Sequence, residues 1–130
     1  MIPLLSPDEV ARRIAGGHSP WHSAYHAMYS SVLGGIVTDP CWMLVPVDDH
    51  LVHRGDGVFE TLKALNGRIY GVDAHLARLA RSAAALGLAP PGGEAGVREA
   101  VLATLQAGGK PDALLRVLLA RGPGGFNVSP

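Results

Sequence analysis

The alternation of apolar and polar positions changes period several times along the chain, and each change marks an element. Between residues 74 and 86 the apolar side chains Leu76, Leu79, Ala83 and Leu86 recur at the spacing of one helix face. His75, Arg78 and Ser82 share a different face at spacings of three and four. Asp73 stands where a carboxylate can cap the first free amides, and Gly87 where a left-handed residue ends a helix. Residues 94–107 predict a further helix, closed by Gly108-Gly109 and Pro111. Near the start, Ser6 and Glu9 have capping-box spacing, Pro7 suits a first turn and Gly16-Gly17 supplies a stop. A short helix over 7–15 follows.

The β-prone runs lie between these helices. Residues 57–72 carry Asn66-Gly67 between two such runs, and Asn-Gly takes positive φ at both central positions of a tight turn, so a hairpin is predicted. Residues 31–37 and 42–47 predict two more strands around the turn Thr38-Asp39-Pro40. Residues 112–120 are nearly all apolar and predict a buried strand. Residues 18–30 have no clear period and read as extended or looping, while 88–93 and 122–125 are Pro/Gly loops. No repeat is present. This order of elements predicts an α+β fold, a mostly antiparallel sheet flanked by two helices.

Composition narrows the class. A chain of 130 residues fits one domain, and 48% hydrophobic residues favour a packed core over disorder. The net charge is zero and the arginines are scattered, so nothing in the charge supports a nucleic-acid or acidic-membrane partner. No apolar run approaches a membrane span, and Met1-Ile2-Pro3-Leu4-Leu5 is too short for a signal peptide. The single cysteine, Cys41, excludes an internal disulfide and fits a reducing cytoplasm.

Candidate chemistry is concentrated in residues 48–57, where Asp48, Asp49, His50, His53, Arg54 and Asp56 stand among glycines. Such a segment either lines a site or is a solvated loop. Arg78 offers a planar fork of donors suited to phosphate oxygens, or is an ordinary surface arginine. Arg116 interrupts the apolar run of residues 113–120. In a buried strand its charge requires a partner, which is either an anionic ligand or an internal carboxylate. His18, His22 and His26 are spaced by four, but Pro20 breaks the helix that would align them. No thiolate or acid accompanies them in sequence, so no metal site is expected. Lys63 and Lys110, the only lysines, read as solvated rather than nucleophilic.

The stretch His53-Arg54-Gly55-Asp56-Gly57-Val58-Phe59-Glu60-Thr61 resembles the signature loop of class IV, or fold-type IV, aminotransferases. That family includes branched-chain aminotransferases, D-amino acid aminotransferases and aminodeoxychorismate lyases. The likeness continues through Asn66-Gly67 and the run from Asp73-Ala74-His75-Leu76-Ala77-Arg78-Leu79 to Ser82-Ala83. It ends in Leu115-Arg116 and Arg121-Gly122-Pro123-Gly124-Gly125-Phe126. It spans about residues 25 to 130, and its combined motifs are specific where Gly-Asp-Gly alone is weak.

The resemblance implies residues 1–24 as a helical extension and 25–130 as the family's N-terminal domain. It implies pyridoxal 5'-phosphate as cofactor, amino acids and 2-oxo acids as substrates, and a homodimer. By the same resemblance Arg78 holds the cofactor phosphate, Arg116 helps to bind a substrate carboxylate, and Arg54 and Phe59 line the pocket, partly across the dimer interface. Nothing in this chain matches the family's Schiff-base lysine or the acid facing the pyridine nitrogen. Both lie in the family's C-terminal domain, so no catalytic residue is assigned here. D-amino acid aminotransferases carry tyrosine where this chain has Phe59, and arginine and histidine where it has Phe126 and Val128; their carboxylate trap is therefore missing. The leading expectation is amino-group transfer. The alternatives are 4-amino-4-deoxychorismate lyase chemistry on the same scaffold and a non-catalytic dimerisation or binding half-domain.

Overall fold

The computed structural model describes residues 1–126. Helix α1 spans Pro7–Ala15, α2 His50–Arg54, α3 Val72–Ala85 and α4 Gly93–Gly108. Strands β1 (Met28–Ser30) and β2 (Gly35–Val37) form one hairpin, and β3 (Gly57–Leu65), β4 (Arg68–Ile69) and β5 (Ala113–Ala120) form a second sheet in the order β4-β3-β5. All pairings are antiparallel. The fold is α+β as expected, with two small sheets in place of one.

The hairpin forms where Asn-Gly requires it. Asn66 and Gly67 have φ of 50° and 75°, and Ala64 pairs with Ile69 across the turn. The turn is also tied to the start of β5: the Gly67 amide donates to the Pro111 carbonyl at 2.8 Å, and the Asn66 amide donates to the Asp112 carboxylate at 2.8 Å. From there β5 runs back along β3 in eight pairs, from Ala64 with Ala113 to Gly57 with Ala120. Gly57 permits this close approach: a Cβ there would stand 2.9 Å from the Leu119 carbonyl oxygen and 2.9 Å from Leu51 Cδ1.

Both long helices lie on one face of this sheet. Leu76 and Leu79 of α3, Val97 of α4 and Leu119 of β5 converge there, and Leu62, Ala64, Ala83, Leu88 and Val101 complete the buried core. Alternation along the strands therefore decides which side chains are covered. On β3, Glu60, Leu62 and Ala64 face the helices. The opposite parity, with Phe59 and Lys63 on β3 and Leu114, Arg116 and Leu118 on β5, is exposed.

Several expectations change. Residues 42–47 form no strand; they follow a single 3-10 turn at Pro40–Trp42, and Trp42, Leu44, Val45 and Val47 stay exposed. Within residues 31–37 only Gly35–Val37 is extended, because residues 31–34 are the turn of the β1–β2 hairpin. The looping segment 18–30 contains a 3-10 turn, Pro20–Ala24, as well as β1. Helix α1 matches its predicted bounds and Ser6 Oγ accepts the Glu9 amide. Glu9 itself pairs with Arg12 and with Arg13. Asp73 lies inside the first turn of α3, whose cap is Gly71 in the left-handed region, and its carboxylate is paired with Arg98 of α4.

Candidate functional site

The site begins with an acid on the covered face. Glu60 shares parity with Leu62 and Ala64 and is only 4% exposed, so its charge requires compensation. Helix α3 supplies it one turn apart. His75 Nδ1 lies 2.8 Å from Glu60 Oε2, Arg78 Nε donates to Oε1 at 2.5 Å, and Arg78 Nη2 donates to Oε2 at 2.6 Å. The Arg78 fork holds the Glu60 carboxyl at about 2, with a smaller contribution from His75 and against the opposing effect of burial. The same carboxylate raises the pKa of the Arg78 guanidinium. The Arg78 side chain remains 60% exposed. Among the described residues, Glu60 engages its Nε and Nη2, leaving the Nη1 edge directed away from this pair. A cation fixed in orientation by a buried acid, on a side chain that stays exposed, is suited to an incoming anion.

Residues 48–57 are neither a solvated loop nor an open cluster of ligands. The Asp49 carboxylate caps α2 by accepting the Leu51 amide at 2.9 Å, and Gly55 ends the helix in the left-handed region. The His50 amide donates to the Gly122 carbonyl, Asp49 bridges to Pro123, and Arg121 Nε donates to Asp56 Oδ2 at 2.8 Å. The Arg121 guanidinium lowers the Asp56 pKa, outweighing burial. His50 is buried, its ring packs edge-on against His53, and His53 packs against Phe126. The cluster thus works chiefly as a latch between the entry to β3 and the exit from β5. Arg54, at the exposed end of α2, adds its positive charge to those that lower the Asp56 pKa.

Phe59 and Arg116 occupy the open face of the sheet. Phe59 pairs with Leu118, and Thr61 with Arg116. The expected burial of Arg116 is corrected here: β5 is covered on one face only, and Arg116 has the exposed parity. Among the described residues no carboxylate pairs with it, so the internal-acid reading has no support. Arg116 and Lys110 border a largely apolar groove of about 500 Å³ between β5, α4 and the β1 segment; neither Arg78 nor Phe59 lines it. Phe59 and Arg116 therefore share one face, while Arg78 lies across the sheet. The consecutive residues Phe59 and Glu60 connect the two sides. Lys63 and Lys110 are both exposed, Lys63 opposite Leu114 on the open face. Val128 lies outside the described residues.

Glu60 and Arg121 were not singled out from sequence. Alternation contained a signal for Glu60, since an acid at the parity of Leu62 and Ala64 must be paired. Arg121 pairs with Asp56 across 65 positions, which no local pattern reveals.

Comparison with known proteins identifies the family. The model of the family described as amino-transferase class IV matches residues 57–130. The chain is 42% identical over 132 residues to the chloroplastic D-amino-acid transaminase of Arabidopsis thaliana, covering 99% of this chain and 34% of that protein. It is 46% identical over 59 residues to the bifunctional aminodeoxychorismate lyase / D-amino acid transaminase of Mycobacterium tuberculosis, covering 45% of this chain and 20% of that protein. Its fold superposes with a TM-score of 0.62 and 37% identity on the PLP-bound form of a hypothetical aminotransferase from Mycobacterium tuberculosis, over 72% of this chain and 34% of that one. The chain spans about a third of the length of the Arabidopsis relative and of this solved structure. With the family match running from the first residue of β3 to the end, the chain belongs to the class IV aminotransferase family.

Proposed function

We propose that this chain forms the phosphate-gripping and pocket-shaping part of a pyridoxal-phosphate-dependent aminotransferase, which moves an amino group between an amino acid and a 2-oxo acid. The observation that carries this reading is Arg78, oriented through two donors by the buried Glu60 while its side chain stays 60% exposed. Pyridoxal phosphate, when bound, supplies the electron sink for the reaction. Arg78 suits its phosphate group, because a guanidinium already fixed in place loses little freedom on binding an anion.

Phe59 and Arg116, on the open face, are the proposed substrate contacts, an apolar wall and a carboxylate-binding cation. Arg54 is proposed to line the same pocket, partly across a homodimer interface. Exposure of Phe59 and of its neighbour Leu118 supports a partner surface at this face. Residues 25–130 form the proposed domain, with 1–24 as its extension. The amine that bonds the cofactor is proposed to come from outside these 130 residues. The free thiol of Cys41 supports a reducing compartment such as the cytoplasm. No helix among the described residues is long and apolar enough to cross a membrane.

In the full-length enzyme, Arg78→Ala should weaken cofactor retention by about one to two orders of magnitude, the loss of one charge-assisted contact. Equilibrium dialysis measures it, and unchanged affinity removes the reading. A lyase acting on 4-amino-4-deoxychorismate is the second reading, favoured by the Mycobacterium tuberculosis relative whose name carries both activities. Product analysis with that substrate separates the two: 4-aminobenzoate formed without an amino acceptor marks the lyase.

A further inference from the structure

Two histidines and the single cysteine meet at a place that the aminotransferase reading does not use. Ligand atoms of His18, His22 and Cys41 all lie within 4.8 Å of one another. We propose that these three residues bind one divalent cation of borderline softness, zinc foremost.

The local structure explains the meeting. His22 sits in the 3-10 turn Pro20–Ala24, with its Nδ1 accepting the Ser19 amide at 3.2 Å. His18 stands just ahead of that turn, its ring edge-on to His22 with centroids 6.1 Å apart. Cys41 sits in the other 3-10 turn, Pro40–Trp42, where the Asp39 carboxylate accepts the Cys41 amide at 3.0 Å. Helix α1 packs beside this second turn and leads through Gly16-Gly17 into His18, which brings the two turns together. Cys41 is buried, His22 half-buried and His18 exposed. The sulfur is thus the fixed point, and His18 is the ligand free to adjust.

The donor set is chemically selective. Two imidazoles and a thiolate match zinc, cobalt(II) and their neighbours, and are a poor match for magnesium or calcium, which take oxygen ligands. Zinc bond lengths of about 2.0–2.3 Å put tetrahedral donors roughly 3.5 Å apart, so closing the site takes a movement of about 1 Å. On ligation the Cys41 S–H bond breaks, its proton passes to solvent and a sulfur–metal bond forms; the two imidazoles each donate a lone pair. Burial and the Asp39 carboxylate both raise the Cys41 pKa in the absence of a cation. A dication neutralises both charges and reverses that preference. His22 exchanges its Ser19 contact for the metal. Three protein ligands leave the fourth position to water, the pattern of an exchangeable site.

The cluster precedes residue 57, where the family match begins, and a cobalt titration reads metal binding alone, so its failure and that of the aminotransferase reading are distinguishable. The test uses untagged full-length protein titrated with cobalt(II). One equivalent should bind with a near-ultraviolet thiolate-to-metal band and tetrahedral visible bands, and zinc should displace it. Cys41→Ala should abolish the near-ultraviolet band. His18→Ala, at an exposed position that does not threaten folding, should weaken binding at least about tenfold. His26→Ala, outside the cluster, should leave binding unchanged. Absence of the band, its survival in Cys41→Ala, parental affinity in His18→Ala, or equal weakening by His26→Ala overturns the site.

Discussion

On the face of the β4-β3-β5 sheet that meets α3 and α4, Leu62 and Ala64 are fully buried and Glu60 is paired with Arg78 and His75. On the opposite face Phe59 is 65% exposed, Leu114 74% and Leu118 53%. The same strands carry both sets, alternating residue by residue. The covered face satisfies its own polar group, while the open face presents aromatic and aliphatic side chains around an arginine. One side of the sheet serves the stability of this domain. The other has the composition of a surface that stability alone does not require.

The largest expected effect tests whether the open face is sufficient by itself. The isolated 130-residue chain should show no transamination above about one-thousandth of the full-length rate, because no amine is placed for imine formation and proton transfer. Borohydride treatment with pyridoxal phosphate and peptide mass mapping checks this. A stoichiometric pyridoxyl adduct on Lys63 or Lys110, with turnover, would show that the open face already contains the catalytic amine.

Next is a contrast in stability across the sheet. Leu62→Ala should destabilise the chain by about 2–5 kcal/mol, whereas Leu118→Ala should cost under about 0.5 kcal/mol in the isolated chain. Urea unfolding of both variants measures the difference, and equal losses would abolish the distinction between the faces.

A third effect is acid sensitivity. The Glu60 carboxyl is lowered from 4.5 to about 2. Its contribution is therefore complete above pH 4.5 and is lost as pH falls from about 4.5 to about 2. The amount is on the order of 2 kcal/mol after allowing for solvent screening of the exposed Arg78. Asp56, lowered by Arg121, acts in the same direction. Glu60→Gln should flatten, without erasing, the decline in stability over this window; an unchanged slope would mean that the covered face does not depend on this acid.

The smallest effect concerns the open face. D-alanine should be a poorer donor than L-glutamate or L-leucine in the full-length enzyme. Phe59→Tyr should raise its turnover by about five- to tenfold, the worth of one hydrogen bond. D-alanine turnover in the parent that matches the L-amino acids would show that Phe59 sets no such limit.

Legibility from sequence divided along similar lines. Helices α1, α3 and α4, the Asn66-Gly67 hairpin and β5 were readable because local periodicity and turn chemistry specify them. The run of residues 42–47 has strand propensity but no partner edge, and Pro46 withholds an amide, so the propensity has no ladder to join. Arg116 was assigned to a buried strand because an apolar run does not reveal that one face is open. Arg78 was singled out by its place on a helix face and by family likeness, but its partner Glu60 was not, although alternation along β3 marked it. The proximity of Cys41 to His18 and His22 depends on how two turns pack beside α1, which spacing along the chain cannot disclose.

The tie between the hairpin tip and the start of β5 has a consequence for errors in assembly. Residues Asn66 and Gly67 hold Asp112 and Pro111 at the point where the eight-pair ladder begins, so the first contacts formed there fix the count for all the rest. Each strand carries two interleaved messages, one for the core and one for the open face. A slip of one position in β3 would exchange them, sending Phe59 inward and Glu60 outward. Arg78 would then lose the acid that orients it, and a strand of unchanged composition would present the wrong message on each side. Two backbone amides at a tight turn thus act as the start codon of the sheet, setting the frame in which its residues are read.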